Sequence, residues 1–286
     1  MPELPEVEIT KRILSKHSVN KVIKDIEVRN DNLRYKVSSD FIKIIKGSKI
    51  KKILRRSKYI LFYLDNNYVV IAHLGMSGKF LLQLNNSNNL LKSSFYFDNA
   101  FSKHDHLEFI FSDNTKMIYN DPRRFGFFIL DKLSNLKKNK FLRKLGPEPF
   151  NKIIQKETTN KMLKSKKNIK NLLMDQTFMS GIGNIYANEI LFASSINPNK
   201  ISSNLNNYET QNLFKNIKII LKKAIKLGGS SIKDFKYLDG KSGKFQNEFK
   251  VYNKENLKCP RKGCNGIISR VVSVGRATFF CIKCQK

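Results

Sequence analysis

The sequence predicts an α+β fold with a β-rich N-terminal half, a helical middle segment and a small C-terminal hairpin that carries cysteines. Three observations support this prediction. Short runs of β-favouring residues, separated by turn residues, fill most of residues 20–130. Helical periodicity replaces them from residue 151 to residue 227. All four cysteines then follow between residues 259 and 284.

The N-terminal half begins with a predicted helix at residues 6–17, where apolar side chains fall near one face. Strand-like runs follow it at 57–64, 68–73, 106–111 and 117–119. Such a series of short strands favours a sandwich or a barrel. The asparagine-rich stretch at 85–99 is predicted to be a variable surface loop.

The remaining segments complete a predicted division into domains. We expect an N-terminal domain at 1–135, a linker at 136–150 that ends in Gly-Pro-Glu-Pro, and a helical domain at 151–249. Helical patterns within the latter cover 151–163, 169–175, 184–194 and 208–227. Glycines among charged residues at 228–249 indicate a mobile loop, and residues 250–286 form the third domain.

Composition indicates a folded protein that binds a polyanion. The 286 residues carry a formal net charge of +31, and 41% of them are hydrophobic, which is too many for a disordered tail. Most of the basic residues are lysine and asparagine is frequent, so part of the charge reflects drift toward A/T-rich codons. Nucleic acid is favoured over an anionic membrane surface, because no basic amphipathic helix stands out as an anchor.

Two features bear on the location of the protein. No apolar run reaches the about 20 residues of a membrane span. Residues 1–20 lack the basic and then apolar segments of a secretory signal. We therefore expect a cytoplasmic protein that has no contact with membranes.

The cysteines follow a metal-binding pattern of C-x4-C and, sixteen residues later, C-x2-C, formed by Cys259, Cys264, Cys281 and Cys284. Each close pair can present two thiolates from one turn, and the residues between the pairs are rich in Val, Ile and Phe, as two short strands would be. Two structural disulfides are the alternative. A zinc ribbon closed by four cysteines would be structural, because no ligand position is left for a reaction.

The first eight residues, MPELPEVE, contain three acids and no base, which reverses the sign of the rest of the chain. A helix start explains Pro5 and Glu6, but it does not require Pro2 and Glu3. Removal of Met1 leaves Pro2 with a secondary amine whose pKa of about 8 lies far below that of lysine, so a useful fraction of it is neutral near pH 7 without burial. Such an amine can form a covalent iminium, and the adjacent Glu3 can transfer protons.

Further motifs follow in a specific order: RRSKYILF, HLGMSG, KHDH, DPRRFG, LGPEP, GIGNIYANE, GGSSIKDF and the terminal CPRKGC…GRATFFCIKCQK. With MPELPEVE, this series resembles, from end to end, the formamidopyrimidine-DNA glycosylases, bacterial enzymes that excise oxidised purines such as 8-oxoguanine. The related endonuclease VIII branch usually opens with Gly where Leu4 stands. With this resemblance, the predicted fold is an N-terminal β-sandwich with flanking helices, a helix–two-turn–helix domain and a zinc-ribbon β-hairpin.

The resemblance implies a bifunctional DNA glycosylase and abasic-site lyase that acts on damaged double-stranded DNA as a nucleoid-associated monomer, with one structural Zn²⁺. In the family, Pro2 attacks C1′ of the damaged nucleotide, displaces the base and forms a Schiff base, and β,δ-elimination then cuts the strand on both sides. Glu3 is implied as an acid/base and Lys58 as a second proton donor on a β-turn facing Pro2. Arg276 is implied to contact phosphate and to take part in the second elimination.

The enzyme must flip the damaged base out of the duplex. The resemblance implies that Met76, Arg123 and Phe125 fill the space left behind. It also implies that His104 and Asn184 contact backbone phosphate. This set depends on the motifs HLGMSG, DPRRFG, KHDH and GIGNIYANE, since composition alone does not distinguish these residues.

The flipped base needs a pocket, for which the resemblance implies Glu6 and Ser230, with residues 230–247 as a loop that closes over the lesion. Ser165 stands where the family often has a DNA-binding lysine, so Lys166 is assigned that role. The stretch 85–99 is longer than is usual in the family. Two other activities stay open: excision of oxidised pyrimidines, and DNA binding without catalysis.

Overall fold

The computed structural model describes residues 1–83, 90–91, 102–151, 155–230 and 243–286. They form two compact units, Met1–Arg143 with Leu227–Gln246, and Lys144–Lys226 with Asn247–Lys286. The predicted loop at 85–99 lies almost wholly outside the described residues, and so do residues 231–242 of the predicted capping loop. No helix in the described ranges has the length and apolar character needed to cross a membrane. The predicted domain boundaries stay a prediction.

The first unit is mainly antiparallel β-structure. Its helices are α1 (Leu4–Ser18) and α2 (Asp40–Ile45), and a 3₁₀ helix covers Leu133–Lys138. Its strands are β1 (Ile23–Val28), β2 (Ile50–Arg56), β3 (Tyr59–Leu64), β4 (Tyr68–His73), β5 (Lys79–Gln83), β6 (Leu90–Leu91), β7 (Asp105–Phe111), β8 (Lys116–Asn120) and β9 (Phe127–Lys132). The predicted helix at 6–17 lies within α1, which begins earlier because a proline in the first turn sacrifices no intrahelical hydrogen bond.

Two sheets form a sandwich, with strand orders β1-β7-β8-β5-β6 and β2-β3-β4-β9. Aromatic rings from both sheets meet between them. The ring centroid of Phe128, in β9, lies 6.0 Å from that of Phe80 and 4.8 Å from that of Tyr119, which belong to the other sheet. Val7 and Leu14 of α1 join the same core. The α+β prediction is confirmed, and the sandwich rather than the barrel is the observed architecture.

The second unit is helical and ends in a hairpin. Its helices are α3 (Gln155–Leu163), α4 (Ile169–Met174), α5 (Asn184–Ser194) and α6 (Asn207–Lys226), with a 3₁₀ helix at Ser202–Asn204. A further 3₁₀ helix, Phe245–Glu248, begins in the last residues of the first unit and ends in the second. The hairpin consists of β10 (Ile268–Ser273) and β11 (Arg276–Cys281). These elements lie where the sequence periodicity predicted four helices and two short strands.

A buried carboxylate connects α5 to the segment that precedes the hairpin. The two oxygens of Glu189 accept hydrogen bonds from the backbone N–H groups of Lys250 at 2.9 Å, Val251 at 3.0 Å and Tyr252 at 2.9 Å. Burial raises the pKa of Glu189, and the three backbone donors oppose that rise. The adjacent Asn188 accepts the N–H of Phe279 at 2.8 Å, so consecutive residues of α5 hold both the segment and β11.

We predict that Glu189→Ala lowers the free energy of unfolding by about 2–3 kcal/mol, because the buried N–H of Val251 and the partly buried N–H groups of Lys250 and Tyr252 lose their acceptor, and an unsatisfied buried donor costs about 1–3 kcal/mol. Glu189→Gln should cost less, since one amide oxygen remains as an acceptor. Urea unfolding followed by circular dichroism measures both. Glu157→Ala, at an exposed position of α3, is the control and should change stability by less than about 0.5 kcal/mol. Equal losses for Glu189→Ala and Glu157→Ala would contradict the anchoring role.

Candidate functional site

The acidic N-terminus forms a buried, hydrogen-bonded cluster in the first unit. Glu3 is 3% exposed and Glu6 is 2% exposed, and Pro2 is buried beside them. The backbone N–H of Glu3 donates to Oε2 of Glu6 at 2.9 Å. Ser230 donates its N–H to Oε1 of Glu6 at 2.7 Å and its hydroxyl to the same oxygen at 3.0 Å. The structure thus brings the predicted pocket residues Glu6 and Ser230 together, directly beside Pro2 and Glu3.

The helix start explains how the chain places these side chains. Glu3 is the N-cap of α1 and Glu6 is its third residue, and the two form a capping box. The box satisfies N–H groups that a helix end leaves without partners. The positive end of the helix dipole also favours carboxylates at this position. Pro2 is therefore attached to a rigid, defined helix terminus.

Lys58 lies in the tight turn between β2 and β3. Arg56 pairs with Tyr59, so Ser57 and Lys58 alone make the turn, and Ser57 adopts a φ of +55°. Lys58 is only 7% exposed, which is unusual for a lysine. The strand predicted at 57–64 therefore starts two residues later, at Tyr59, because Ser57 and Lys58 form the turn. The sequence pattern did not mark this turn, since it contains neither glycine nor asparagine.

An arginine fastens this turn to α1. Arg55 donates its Nε to Oε2 of Glu8 in α1 at 3.0 Å, and its Nη1 to the carbonyl of Ser57 at 3.0 Å. Charged donors to carboxylates make stronger hydrogen bonds than neutral ones. One side chain, Arg55, therefore links α1, which directly follows Pro2 and Glu3, to the turn that carries Lys58.

Sequence reasoning missed His73, at the end of β4. Burial, together with the positive charges of Lys58 and Arg34, lowers the pKa of His73 to about 4. Nδ1 of this neutral ring accepts the N–H of Gly75 at 3.0 Å, and the ring stacks on Phe127 with centroids 5.3 Å apart. His73 is the first residue of the HLGMSG motif, so the sequence showed a histidine at this point. The sequence did not show that its ring is buried, because no local pattern distinguishes a buried histidine from an exposed one.

Two adjacent turns present the residues predicted to fill the DNA stack. Met76 is 38% exposed and Phe125 is 41% exposed, so both large apolar side chains face solvent. The guanidinium carbon of Arg123 lies 4.7 Å from the ring centroid of Phe125. Gly75, with a φ of +64°, packs on the backbone of Phe125 so closely that a β-carbon there would collide with it. The structure brings Met76, Arg123 and Phe125 onto one surface of the first unit.

His104 lies next to this surface on a third segment. Its side chain is half-buried, and its carbonyl accepts the N–H of Asp121 at 3.0 Å. Asp121 begins the motif that contains Arg123 and Phe125. The predicted phosphate contact is thus placed beside the predicted stack-filling residues.

In the second unit, α5 and the hairpin bring Asn184 and Arg276 together. Arg276 is exposed at the hairpin tip, where it pairs with Ser273. Nδ2 of Asn184 donates to the carbonyl of the next residue, Ala277, at 3.0 Å. Lys170, which sequence reasoning missed, is buried in α4, and its Nζ donates to the same carbonyl at 2.9 Å.

Lys170 also reaches Oγ1 of Thr278 at 2.7 Å, so it fixes the backbone directly after Arg276. The sequence does contain a clue to this role, because Lys170 stands among apolar residues of α4. A lysine that is buried with such residues needs hydrogen-bond partners for its ammonium group. Lys166, by contrast, is exposed in the loop between α3 and α4.

The four cysteines have the geometry of a tetrahedral metal centre. Their Sγ atoms all lie within 4.8 Å of one another, with 3.7 Å between Cys259 and Cys284 and 3.7 Å between Cys264 and Cys281. A disulfide requires about 2.0 Å. Four sulfurs at about 2.3 Å from a zinc ion lie about 3.8 Å apart. The distances fit a metal and exclude the two disulfides in this structure.

Comparisons with known proteins agree over the whole chain. The model of the formamidopyrimidine-DNA glycosylase N-terminal domain matches residues 1–128, and that of the H2TH domain of the same family matches residues 145–236. The chain is 42% identical to a formamidopyrimidine-DNA glycosylase of Wolbachia sp. subsp. Brugia malayi, with all of both chains covered. It is 41% identical to that of Rickettsia conorii, with 100% of this chain and 99% of the relative covered.

Solved structures give the same result. A Lactococcus lactis Fpg in complex with DNA that contains an abasic site is 36% identical with a TM-score of 0.87, over 99% of each chain. A MutM in complex with DNA that contains carbocyclic 8-oxo-G is 37% identical with a TM-score of 0.87, over 100% of each chain. On these matches, the chain belongs to the formamidopyrimidine-DNA glycosylase family.

Proposed function

We propose that the protein excises oxidised purines from duplex DNA and then cuts the strand at the abasic site. The observation that carries this proposal is the buried N-terminal cluster, in which Pro2 and Glu3 begin a capped helix and Glu6 holds Ser230. Relatives of the same family form complexes with DNA that contains an abasic site or a carbocyclic 8-oxo-G, which are the product and a lesion analogue expected for this reaction.

In this proposal the secondary amine of Pro2 attacks C1′ of the damaged nucleotide. The bond from C1′ to the base nitrogen breaks, and the base leaves with a proton. Opening of the sugar gives an iminium between Pro2 and C1′, which withdraws electrons and acidifies the C2′ proton. Loss of that proton expels the 3′ phosphate, and loss of a second sugar proton, from C4′, expels the 5′ phosphate. Water then hydrolyses the iminium, which releases the sugar remnant as an aldehyde and restores the free amine of Pro2.

The two carboxylates of the cluster, Glu3 and Glu6, have different roles in this proposal. Both oxygens of Glu6 accept hydrogen bonds, from Glu3 N–H and from Ser230, which assigns Glu6 to positioning the pocket. Glu3, adjacent to the nucleophile, transfers protons to and from the sugar. Lys58, buried in a turn that Arg55 fastens to α1, is the second proton donor.

The proposed DNA contacts fall into residues that fill the base stack and residues that contact phosphate. Met76 and Phe125 enter the space that the flipped base leaves, and Arg123 contacts the orphaned base through its guanidinium fork. Four further residues contact the phosphate backbone, where the overall positive charge strengthens binding at low salt: His104, Lys166, Asn184 and Arg276. The enzyme acts as a monomer on DNA in the cytoplasm, associated with the nucleoid.

Zn²⁺ is the metal that four thiolates at this spacing select. Cys259, Cys264, Cys281 and Cys284 hold it as a structural ion, because all four tetrahedral positions are filled by protein. The ion would fix both ends of the hairpin and thereby the exposed Arg276 at its tip.

We predict that borohydride traps a covalent complex between the protein and an 8-oxoguanine duplex, and that Pro2→Gln lowers trapping by about 100-fold or more. Glutamine at this position also prevents removal of Met1, so no secondary amine forms. Pro5→Ala, in the first turn of α1, leaves Pro2 intact and is the matched control. Peptide mapping of the trapped complex should place the adduct on Pro2.

Trapping that persists in Pro2→Gln, or an adduct on another residue, would refute the assigned nucleophile. Rates on 8-oxoguanine and on thymine glycol distinguish purine from pyrimidine excision. DNA binding without trapping of either lesion would indicate a non-catalytic protein.

We also predict one zinc ion per chain, measured by elemental mass spectrometry. The double change Cys281→Ser and Cys284→Ser should remove it and lower the melting temperature, since metal binding and folding are coupled. Ser269→Ala, a half-buried position in β10, controls for substitution in the hairpin and should retain full zinc. A wild-type preparation without zinc and with oxidised cysteines would contradict the metal centre.

A further inference from the structure

Asp121 lies where the three segments that carry Met76, His104 and the Arg123–Phe125 motif meet. It is 0% exposed, and its contacts reach all three segments. We infer that Asp121 is a positioning residue that sets the stack-filling side chains and the phosphate contact in one fixed arrangement. The inference rests on the proposed function, because the residues it positions are those proposed to contact DNA.

The first contact reaches the turn of Met76. Ser77, the next residue, donates its hydroxyl to Oδ1 of Asp121 at 2.6 Å. The same hydroxyl accepts the backbone N–H of Arg123 at 3.3 Å. Ser77 therefore joins the Met76 turn to Asp121 and to the backbone of the proposed orphan-base reader.

The second contact closes the loop that carries Arg123 and Phe125. The N–H of Gly126, directly after Phe125, donates to Oδ2 of Asp121 at 2.8 Å. The carbonyl of Asp121 also accepts the N–H of Arg124 at 3.1 Å. Each carboxylate oxygen thus holds a different turn, and the two turns are in direct backbone contact at Gly75.

A tyrosine supports the carboxylate from the core. Tyr119 donates its hydroxyl to Oδ2 of Asp121 at 3.1 Å, and burial together with the charge of Asp121 raises the pKa of Tyr119 well above its usual value. This hydroxyl lies against Gly78 and Gly126, where a β-carbon would collide with it. Both turns consequently rest on the same Tyr119–Asp121 pair.

The third contact reaches the segment of His104. The N–H of Asp121 donates to the carbonyl of His104 at 3.0 Å, and Nε2 of His106 lies 2.8 Å from the carbonyl of Asp121.

A carboxylate is the side chain suited to position 121, because it offers two acceptor oxygens and needs no donor. Asparagine has one acceptor oxygen, so it cannot serve both Ser77 and Gly126 in the same way.

The functional consequence concerns duplex DNA. Filling the space of a flipped base requires Met76, Arg123 and Phe125 to enter together, and a misplacement of about 1 Å can lower a rate substantially. Cutting of a preformed abasic site in single-stranded DNA has no orphaned base to contact. Loss of the Asp121 links should therefore affect excision from duplex DNA and spare cleavage of the single strand.

The test compares single-turnover rates of 8-oxoguanine excision from a duplex with cleavage rates of an abasic site in single-stranded DNA. Ser77→Ala and Asp121→Asn should lower duplex excision by about tenfold and change single-strand cleavage by less than about twofold. Ser77→Thr restores the hydroxyl and should recover most of the duplex rate. Tyr119→Phe removes the hydroxyl that donates to the same carboxylate and packs on Gly78 and Gly126 but keeps both carboxylate links to the turns, so it should lower duplex excision less than Asp121→Asn does.

A parallel fall of both rates would show a general structural defect and overturn the inference, as would two unchanged rates. Amide hydrogen exchange provides a readout that does not depend on catalysis. Exchange of the Gly126 N–H should accelerate by about tenfold in Ser77→Ala and Asp121→Asn, while amides of β3 and β4 keep their protection. Wild-type protein that fails to excise 8-oxoguanine would refute the proposed function, whereas an unchanged Gly126 exchange rate would refute the role of Asp121.

Discussion

Buried carboxylates that accept hydrogen bonds from distant segments are the interaction on which the architecture depends. Glu6 holds Ser230 against the start of α1, Asp121 joins the turns of the sandwich, and Glu189 anchors residues 250–252 to α5. A buried carboxylate is expensive unless several donors satisfy it, and each of these has them. In a chain with a net charge of +31, these three buried acidic side chains hold separate segments of the chain together.

The same interaction accounts for the reversal of charge at the N-terminus. The acids of MPELPEVE include the N-cap and third residue of α1, so they stabilise the helix, and the same two residues lie directly beside Pro2. The acidic residues of MPELPEVE can therefore both cap α1 and take part in the proposed catalysis. The capping box places the side chains that the proposed chemistry uses.

Periodicity and spacing predicted α1, α4, α5 and α6 and the cysteine hairpin well, because helical stripes and paired ligands leave a local pattern. The strand pattern did not show the turn at Ser57 and Lys58, which came only from the family resemblance, since the positive φ there occurs at a single serine inside a run of strand-favouring residues. His73, Asp121 and Lys170 were also missed as site residues. Their importance comes from burial among partners far away in the sequence, which no local pattern encodes. The roles of Pro2, Glu3 and Lys58 came from the family resemblance, and the structure adds the contacts that hold them.

The contrast between surface lysines and buried acids has a consequence for how this sequence can evolve. An exposed lysine can be exchanged for another polar residue at a cost of only a few tenths of a kcal/mol, whereas loss of a buried acid leaves several N–H groups without an acceptor at about 1–3 kcal/mol each. Pressure from a biased genome can therefore rewrite the basic surface of the protein extensively. The 23 acids include the positions where such drift must stop, and lineages of this family should be most alike at the buried members of that set.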